Sequence, residues 1–493
     1  MKPIIYQVLP RLYYSPSRPV VAGGSLAQNG CGKFKEFTAS RLEAIRTLGV
    51  THIWYTGVLD HATQTDFAAF GLPADTEVKG QAGSPYAVRD YYNVAPELAT
   101  DIPNRLHEFE LLVRRTHKAG MRVIIDFVPN HVARHYTGTR NPFTDRNYHP
   151  GHICDGDWTD TAKLNYGDRD TWQKMLDILL FWSSLGVDGF RCDMAELVPV
   201  AFWNWAIPRV KAAHPDILFI AEVYQPWRYH DYIHQGHFDF LYDKVGLYDT
   251  LIAILKGQAP AAAITGCWQR LGDLAPRMLH FMENHDEQRL ASDFICGDGL
   301  RALPAMMVSA LIDTCPVMVY FGQELGERGM EREGFSGCDG KTSIFDYAPV
   351  PTVSQWLKNG KLSIVNCQLS IAYSRLLHLC LTEPTVSEGK FFDLMYVNPP
   401  SAYFDPNRQY AFLRATADEL LIVCVNFDDV PRDVRLHIPQ HAFDYLSLPT
   451  HGKAYAAEEL LTGSPLTLSL MPDAEVPLHL PPTGGIAVRL RVR

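Results

Sequence analysis

Short apolar runs alternate with longer amphipathic stretches over most of the chain. The runs are rich in β-branched residues, which is typical of buried strands, and residues 170–184 and 303–313 have the spacing of amphipathic helices. The predicted strands are residues 4–9, 52–56, 122–128, 186–192, 217–223, 238–241, 278–283 and 317–321. Eight strands with helices between several of them predict an α/β fold, a (β/α)8 TIM barrel. A doubly wound parallel sheet is the alternative, because it repeats the same strand–helix unit.

The pattern changes in two places. Helical spacing disappears over residues 132–170, where Gly, Asp, Asn, Tyr and His dominate, so we expect an irregular loop subdomain inserted after strand 3. After about residue 385 the chain shows short alternating strands, including 410–414, 420–427 and 485–490. Residues 1–131 and 171–384 are therefore the predicted barrel, and residues 385–493 a C-terminal antiparallel, β-sandwich-like domain.

Composition and charge narrow the function. The 493 residues are 47% hydrophobic and 20% charged, as in a folded globular protein, and the formal net charge is -10. No dense lysine and arginine tract is present, so nucleic acid is disfavoured as a partner. No apolar stretch approaches the roughly 20 residues that span a bilayer, so no membrane partner is expected.

The termini and cysteines bear on location. The first apolar run is short and breaks at Pro10, which predicts no signal peptide and a cytoplasmic protein, unless a leader was removed. None of the ten cysteines forms a CxxC pair. Cys192, Cys315 and Cys424 lie in apolar runs, so we expect buried free thiols. Oligomeric state is not predictable from these features.

Ionisable residues gather at the predicted carboxyl ends of four strands, where barrel enzymes place their catalytic groups. They are Asp126 and His131 at the end of strand 3, Arg191 and Asp193 at the end of strand 4, Glu222 at the end of strand 5, and His285 with Asp286 at the end of strand 7. For one such acid, a surface salt bridge or helix cap is an equal explanation. Convergence at four strand ends instead predicts an active site.

The pairing of acids suggests a reaction. Strand alternation places Arg191 and Asp193 on one side of strand 4, where the guanidinium favours the carboxylate form needed by a nucleophile. Glu222, across the barrel mouth, is the candidate proton donor. A nucleophilic carboxylate paired with an acid is the arrangement of a retaining glycoside hydrolase.

Four segments together are similar to the α-amylase family, glycoside hydrolase family thirteen. They are Asp126-Phe-Val-Pro-Asn-His131, Gly189-Phe-Arg-Cys-Asp193, Ala221-Glu-Val223 and Glu283-Asn-His-Asp286. Their order and spacing agree with the family's, and the resemblance covers the whole chain. It implies a retaining hydrolase of α-glucosidic bonds, chiefly α-1,4, in malto-oligosaccharides or α-glucans.

The resemblance also implies roles for particular residues. Asp193 resembles the family's nucleophile, Glu222 the acid/base, and Asp286 the third catalytic carboxylate. The substrate-binding set implied in the same way is His131, Arg191, His285, the supporting Asp126, and Tyr86, a stacking tyrosine four residues before Asp90. For Tyr86 an ordinary loop aromatic is the alternative.

No metal or other cofactor is expected. Many relatives bind calcium through an asparagine like Asn130 and an aspartate in the excursion, but here the matching segment carries Lys163. An ammonium group cannot ligate calcium and repels it, so calcium near Asn130 is disfavoured. His131 and His285 lie on different strands without HExxH spacing, so a zinc site is not predicted.

One difference from the family's motif leaves open whether the reaction is hydrolysis or transfer. Many starch-cleaving relatives have Lys-His three and four residues after the nucleophile, where this chain has Glu196-Leu197. A transglycosylase or a maltose–trehalose type isomerase therefore remains an alternative. A non-catalytic sugar-binding barrel is disfavoured, because the three carboxylates are all present. Residues 61–84 and 324–342 are expected to border the cleft, or to be surface connections.

Overall fold

Eight parallel strands close into a barrel in the computed structural model, which describes residues 2–14, 20–136, 142–330, 337–358, 367–450 and 452–492. Each strand pairs with its neighbours in chain order, and β1 pairs with β8 to close the ring. The TIM barrel prediction is confirmed. The strands are β1 Ile4–Val8, β2 His52–Tyr55, β3 Arg122–Phe127, β4 Gly189–Cys192, β5 Leu218–Ala221, β6 Phe240–Tyr242, β7 Met278–Phe281 and β8 Val317–Tyr320.

The barrel interior is filled by apolar side chains from alternate positions along the strands. One buried cluster contains a residue from seven of the eight strands, including Ile5, Trp54, Ile124, Ile220 and Met318. The opposite faces pack against the outer helices in the main core. Period-two alternation thus separates an inner from an outer apolar layer, which fixes which strand-end residues face the barrel mouth.

Helices surround the strands. They are α1 Ala39–Arg46, α2 Arg105–Lys118, α3 Arg169–Ser184, α4 Val200–Ala213, α5 Asp249–Leu255, α6 Ala263–Leu271, α7 Leu303–Leu311, α8 Pro351–Lys358 and α9 Gln368–Thr382. Shorter helices are Pro10–Tyr13, Leu26–Asn29 and Pro384–Ser387. The predicted helices at 170–184 and 303–313 correspond to α3 and α7. Between β5 and β6 the chain forms a π-helical turn, Asp231–Gln235.

The excursion after β3 has a small sheet of its own. His131–Ala133 pairs antiparallel with Thr161–Lys163, and a 3-10 turn lies at Asp145–Asn147. After β2, Leu59–His61 pairs with Val88–Val94 in a second small sheet. Both excursions extend from the carboxyl ends of barrel strands, which is the end that carries the predicted catalytic residues.

The last part of the chain is an antiparallel β-domain, as predicted. Its strands are β9 Lys390–Asp393, β10 Gln409–Ala415, β11 Glu419–Asn426, β12 Arg432–His437, β13 Lys453–Glu459, β14 Ser464–Leu470, β15 Glu475–Leu480 and β16 Gly484–Arg491, with helix α10 at Gln440–Leu446. A six-stranded sheet has the order β9-β10-β11-β16-β13-β14, and β12 pairs with β15. Helix α7 packs against β11 and β16, joining this domain to the barrel.

The thiol prediction holds for the three cysteines named above. Cys192, Cys315 and Cys424 are buried and form no disulfide. Within the described ranges, no helix has the length and apolar character needed to cross a membrane.

Candidate active site

The carboxyl ends of the barrel strands open into a cavity of about 250 Å³. Six of the eight predicted site residues line it: Tyr86, His131, Asp193, Glu222, His285 and Asp286. The remaining two, Asp126 and Arg191, are buried beside these residues. The structure therefore brings together all eight residues from β3, β4, β5, β7 and the loop after β2.

Arg191 is the centre of this arrangement. Its Nη1 atom lies 2.8 Å from Oδ1 of Asp193, and its Nη2 atom lies 2.8 Å from Oε1 of Glu222. Asp126 Oδ1 is 3.7 Å from Nη1. The guanidinium is buried, and its Nε donates to the hydroxyl of Tyr242 over 3.1 Å. One cation thus holds the two central carboxylates near each other, and the predicted Arg191–Asp193 contact is confirmed.

Asp193 experiences two opposing effects. Burial raises the pKa of its carboxyl well above the ordinary value, whereas the charge of Arg191 acts in the opposite direction. The sequence predicted only the effect of the Arg191 guanidinium on the pKa of Asp193. The burial of this carboxyl was not predicted, because it depends on how the barrel mouth assembles. Backbone conformation is also unusual here: the next residue, Met194, has a positive φ of 42°.

His285 is fixed as a neutral imidazole. Burial and the charge of Arg191 lower the pKa of its ring well below the ordinary value. The side-chain amide of Gln7 lies 2.8 Å from Nδ1, so donation to Nδ1 places the ring proton on Nε2. That Nε2 atom is 2.5 Å from the Tyr86 hydroxyl and 3.1 Å from Oδ2 of Asp286. His285 therefore joins the Tyr86 hydroxyl to the carboxylate of Asp286.

Asp126 supports the site from beneath. Its Oδ2 accepts a hydrogen bond of 2.8 Å from the backbone N–H of Gly57, and its Oδ1 accepts one of 3.3 Å from the Tyr86 hydroxyl. Burial raises the pKa of its carboxyl to about 6. The position of the Tyr86 ring is thus set by two groups, Asp126 and His285.

Glu222 is held by donors from two segments. Its Oε2 accepts from the backbone N–H of Met194 over 2.7 Å, and its Oε1 accepts from the Tyr224 hydroxyl over 2.6 Å. Glu196 in turn accepts from the backbone N–H groups of Tyr224 and Gln225, over 3.1 and 3.2 Å. Glu196, one of the two residues that differ from the starch-cleaving relatives, therefore positions the backbone of Tyr224, which contacts Glu222.

Several cavity residues were not identified from the sequence: Lys79, Trp158, Asp160, Tyr224 and Phe345. Only Tyr224 had a usable signal, since it lies two residues beyond Glu222 on the same strand end. The others lie in irregular loops. The expectation that residues 61–84 border the cleft is confirmed by Lys79 and Ser84. From residues 324–342 the described part adds no lining residue, although the adjacent Ile344 and Phe345 line the cavity; 331–336 lie outside the described residues.

The segment that binds calcium in many relatives does not fit calcium in this chain. Lys163 Nζ lies 2.6 Å from Oδ1 of Asp155, and the side-chain amide of Asn130 donates to Oδ2 of the same carboxylate over 2.7 Å. An ammonium and an NH₂ group thus occupy both oxygens of Asp155. Calcium requires oxygen ligands, so the donor set is unsuitable.

One group elsewhere has the composition of a metal-ligand set. Within the described ranges, His230, His234 and Asp273 have ligand atoms within 4.8 Å of one another. All three are exposed on the outside of the barrel, and none lines the cavity.

Comparison with known proteins places the chain in a family. The model of the family described as "Alpha amylase, catalytic domain" matches residues 27–154 and 153–348. The chain therefore belongs to the alpha-amylase family.

Several curated proteins are similar in sequence. Alpha-amylase MalA of Haloarcula japonica is 29% identical over 308 residues, which are 59% of this chain and 41% of that protein. Alpha-amylase 2 of Dictyoglomus thermophilum is 21% identical, over 86% of this chain and 69% of the relative. An intracellular maltogenic amylase of Bacillus subtilis is 22% identical, over 59% and 48%. The matched region thus spans less than half of the Haloarcula and Bacillus proteins.

Solved structures resemble the whole chain. A noncanonic maltogenic alpha-amylase, AmyB from Thermotoga neapolitana, superposes with a TM-score of 0.72 at 20% identity, covering 100% of this chain and 99% of that one. An alpha-amylase from Geobacillus thermoleovorans, solved in complex with acarbose, has a TM-score of 0.71 at 19% identity, covering 99% and 98%. At these identities the likeness establishes the fold.

Proposed function

We propose that the protein is a retaining glycoside hydrolase that cleaves α-glucosidic bonds, mainly α-1,4, in malto-oligosaccharides or α-glucans. The observation that supports this most directly is the contact of one buried guanidinium, Arg191, with both Asp193 and Glu222. Asp286 lines the same cavity. Two carboxylates held close together are the requirement of a double displacement, whereas an inverting enzyme needs room between them for water.

In the proposed reaction, Glu222 donates a proton to the bridging oxygen while a carboxylate oxygen of Asp193 attacks the anomeric carbon. The bond from that carbon to the bridging oxygen breaks, and a covalent glycosyl-enzyme forms. Glu222 then accepts a proton from water as the water oxygen displaces Asp193. Two inversions leave the anomeric configuration unchanged.

The surrounding residues have supporting roles in this proposal. Neutral His285 and His131 hydrogen-bond sugar hydroxyls, and Tyr86 stacks on the sugar ring. Asp286 orients hydroxyls and stabilises positive charge on the reacting sugar. Arg191 and Asp126 position the carboxylates and the tyrosine. None of these steps calls for a metal or other cofactor.

The relatives are consistent with this class of substrate. The Bacillus subtilis protein is named an intracellular maltogenic amylase, and the Geobacillus enzyme was solved with acarbose. We propose the same α-glucan substrate class for this chain, a cytoplasmic location, and neither nucleic acid nor membrane as a partner.

A second candidate is supported by Glu196. This residue fixes the backbone of Tyr224 and Gln225 next to the acid/base, where the leaving group departs and the acceptor enters. A changed acceptor side suits transfer to a sugar hydroxyl, as in a transglycosylase or a maltose–trehalose type isomerase. Chromatography of products from maltose and maltoheptaose distinguishes the two, because longer oligomers or trehalose indicate transfer.

The test of the main proposal uses Asp193→Asn, with Asp433→Asn in the exposed part of β12 as the matched control. We expect the first variant to lose at least about a thousandfold in kcat on maltoheptaose and the control to keep its rate. Proton NMR of fresh wild-type product should show the α-anomer first. Near-normal turnover by Asp193→Asn, or the β-anomer as first product, would refute the proposal.

A further inference from the structure

Residues 77–82, here called the bridge segment, contact two other segments at the cavity, and Lys79 lines the cavity itself. The backbone N–H of Ala82 donates to the carbonyl of Phe345 over 3.0 Å, which joins the segment to the loop after β8. Gly80 packs so closely that an added Cβ would lie 2.3 Å from the same carbonyl oxygen, and its φ is +66°. The bridge segment is therefore in direct backbone contact with this loop.

The other side of the bridge segment is joined to the excursion after β3. Lys79 Nζ lies 3.5 Å from Oδ1 of Asp160. Near the rim, His135 Nε2 lies 2.9 Å from Oε2 of Glu77. The bridge segment therefore spans from one wall of the cavity to the other, and Lys79 and Asp160 face the interior.

Asp160 is a buried carboxylate whose oxygens accept few hydrogen bonds from the protein. It is only 3% exposed, and Oδ1 has the ammonium of Lys79 at 3.5 Å. Among the described residues, no hydrogen bond reaches its Oδ2 atom. Buried acceptors are normally satisfied, because an unsatisfied one carries the full cost of desolvation. The cavity is the side from which a donor can reach it, and sugar hydroxyls are suitable donors.

The bridge segment lies near residues proposed to hold the sugar that is retained by the nucleophile. Trp158, two residues before Asp160, lines the cavity and has its ring centre 5.3 Å from that of His131, a proposed ligand of that sugar. The proposed leaving-group side is marked by Glu222 and Tyr224, which hydrogen-bond to each other. Glu222 also accepts a hydrogen bond from the backbone of Met194.

We propose, on the basis of the function proposed above, that the enzyme acts from chain ends. Lys79 and Asp160 bind hydroxyls of the non-reducing terminal sugar, with the ammonium donating and the carboxylate accepting. The bridge segment blocks a chain that continues beyond that sugar. The preferred substrates are then short malto-oligosaccharides rather than internal bonds of starch.

The experiment compares two forms of p-nitrophenyl maltoheptaoside, one free and one with an ethylidene group on the non-reducing terminal sugar. Products of wild-type enzyme are separated by chromatography. We expect the blocked form to be cleaved at least about a hundredfold more slowly, because the block fills the space occupied by Lys79 and Asp160. Equal rates on the two forms would overturn the proposal.

Variants test the two residues. Lys79→Ala and Asp160→Asn should each lower kcat/KM on maltotriose about tenfold or more, with most of the change in KM, as expected for lost binding. Lys211→Ala is the matched control, since Lys211 forms a 2.6 Å pair with Asp239 away from the cavity. Melting curves establish that each variant is folded, and Lys79→Arg should recover part of the loss. Unchanged kcat/KM in both folded variants would overturn the assignment of these residues.

The two proposals fail in different ways. If wild-type enzyme cleaves neither form of the heptaoside, the hydrolase function itself is refuted, and chain-end action with it. If it cleaves both equally, the hydrolase function stands and chain-end action is refuted.

Discussion

The hydroxyl of Tyr224 donates a 2.6 Å hydrogen bond to Oε1 of Glu222. That oxygen also lies 2.8 Å from Nη2 of Arg191, so a phenol and a guanidinium meet at one atom of the proposed acid/base. Both contacts hold this oxygen in place, and the backbone of Tyr224 is in turn held by Glu196. In the proposed reaction, the proton donor is therefore positioned by a residue on the acceptor side.

Replacing Tyr224 with Phe removes only this donor. A hydrogen bond to a charged group contributes about 1.5–3 kcal/mol, so we expect kcat/KM to fall about tenfold or more. Most of the loss should be in kcat rather than KM, because the hydroxyl positions the proposed proton donor. A kcat equal to that of the wild type would show that Tyr224 does not act through Glu222.

The contact between Lys163 and Asp155 predicts that the stability of the protein does not depend on calcium. The Lys163 ammonium contacts Asp155 over 2.6 Å, so removal of free calcium with a chelator should leave the melting temperature of the wild type unchanged. Lys163→Ala should destabilise by about 1 kcal/mol, the scale of a partly exposed ion pair. A fall of several degrees on adding chelator to the wild type would contradict this.

The reverse substitution is a sharper test. Lys163→Asp places two carboxylates and the Asn130 amide together, which supplies the oxygen ligands that calcium prefers. We expect this variant to melt below the wild type without calcium and to be stabilised by millimolar calcium. Equal melting temperatures with and without the ion would mean that the position cannot hold it.

Buried histidines predict how stability depends on pH. His52, His61 and His131 are buried, and burial lowers the pKa of each ring to about 4. In the unfolded chain a histidine takes up a proton below about 6.5, so each contributes stability above that pH and loses it as pH falls toward 4. The slope is about 1.4 kcal/mol per pH unit for each histidine.

His52→Gln isolates one of these contributions. Because burial lowers the pKa of His52 to about 4, we expect the free energy of unfolding of this variant to fall less steeply than that of the wild type between pH 6 and 4. The difference between the two slopes should correspond to about one proton. Urea unfolding at four pH values measures the slope. His479→Gln, at an exposed position on β15, is the control and should keep the wild-type slope. Parallel slopes for His52→Gln and wild type would contradict the prediction.

The sequence predicted those parts of the site that depend on periodic structure. The eight strands were visible as apolar runs, and Asp193 and Arg191 were placed on one face because strand positions alternate. Asp155, Lys79 and Asp160 were not identified. They lie in segments without a period, and their partners are set by how loops from different strands pack together, which no local pattern encodes.

The contact of the Arg191 guanidinium with both Asp193 and Glu222 also indicates which charged ligands bind in the cleft. Around the reacting position, the carboxylates of Asp193, Glu222 and Asp286 have one buried cation, Arg191, close to them. A low-dielectric cleft with excess negative charge concentrates positive ligands. Protonated iminosugars, which imitate the charge of an oxocarbenium ion, should therefore bind more tightly than neutral sugars of the same shape, and their affinity should fall as the amine loses its proton.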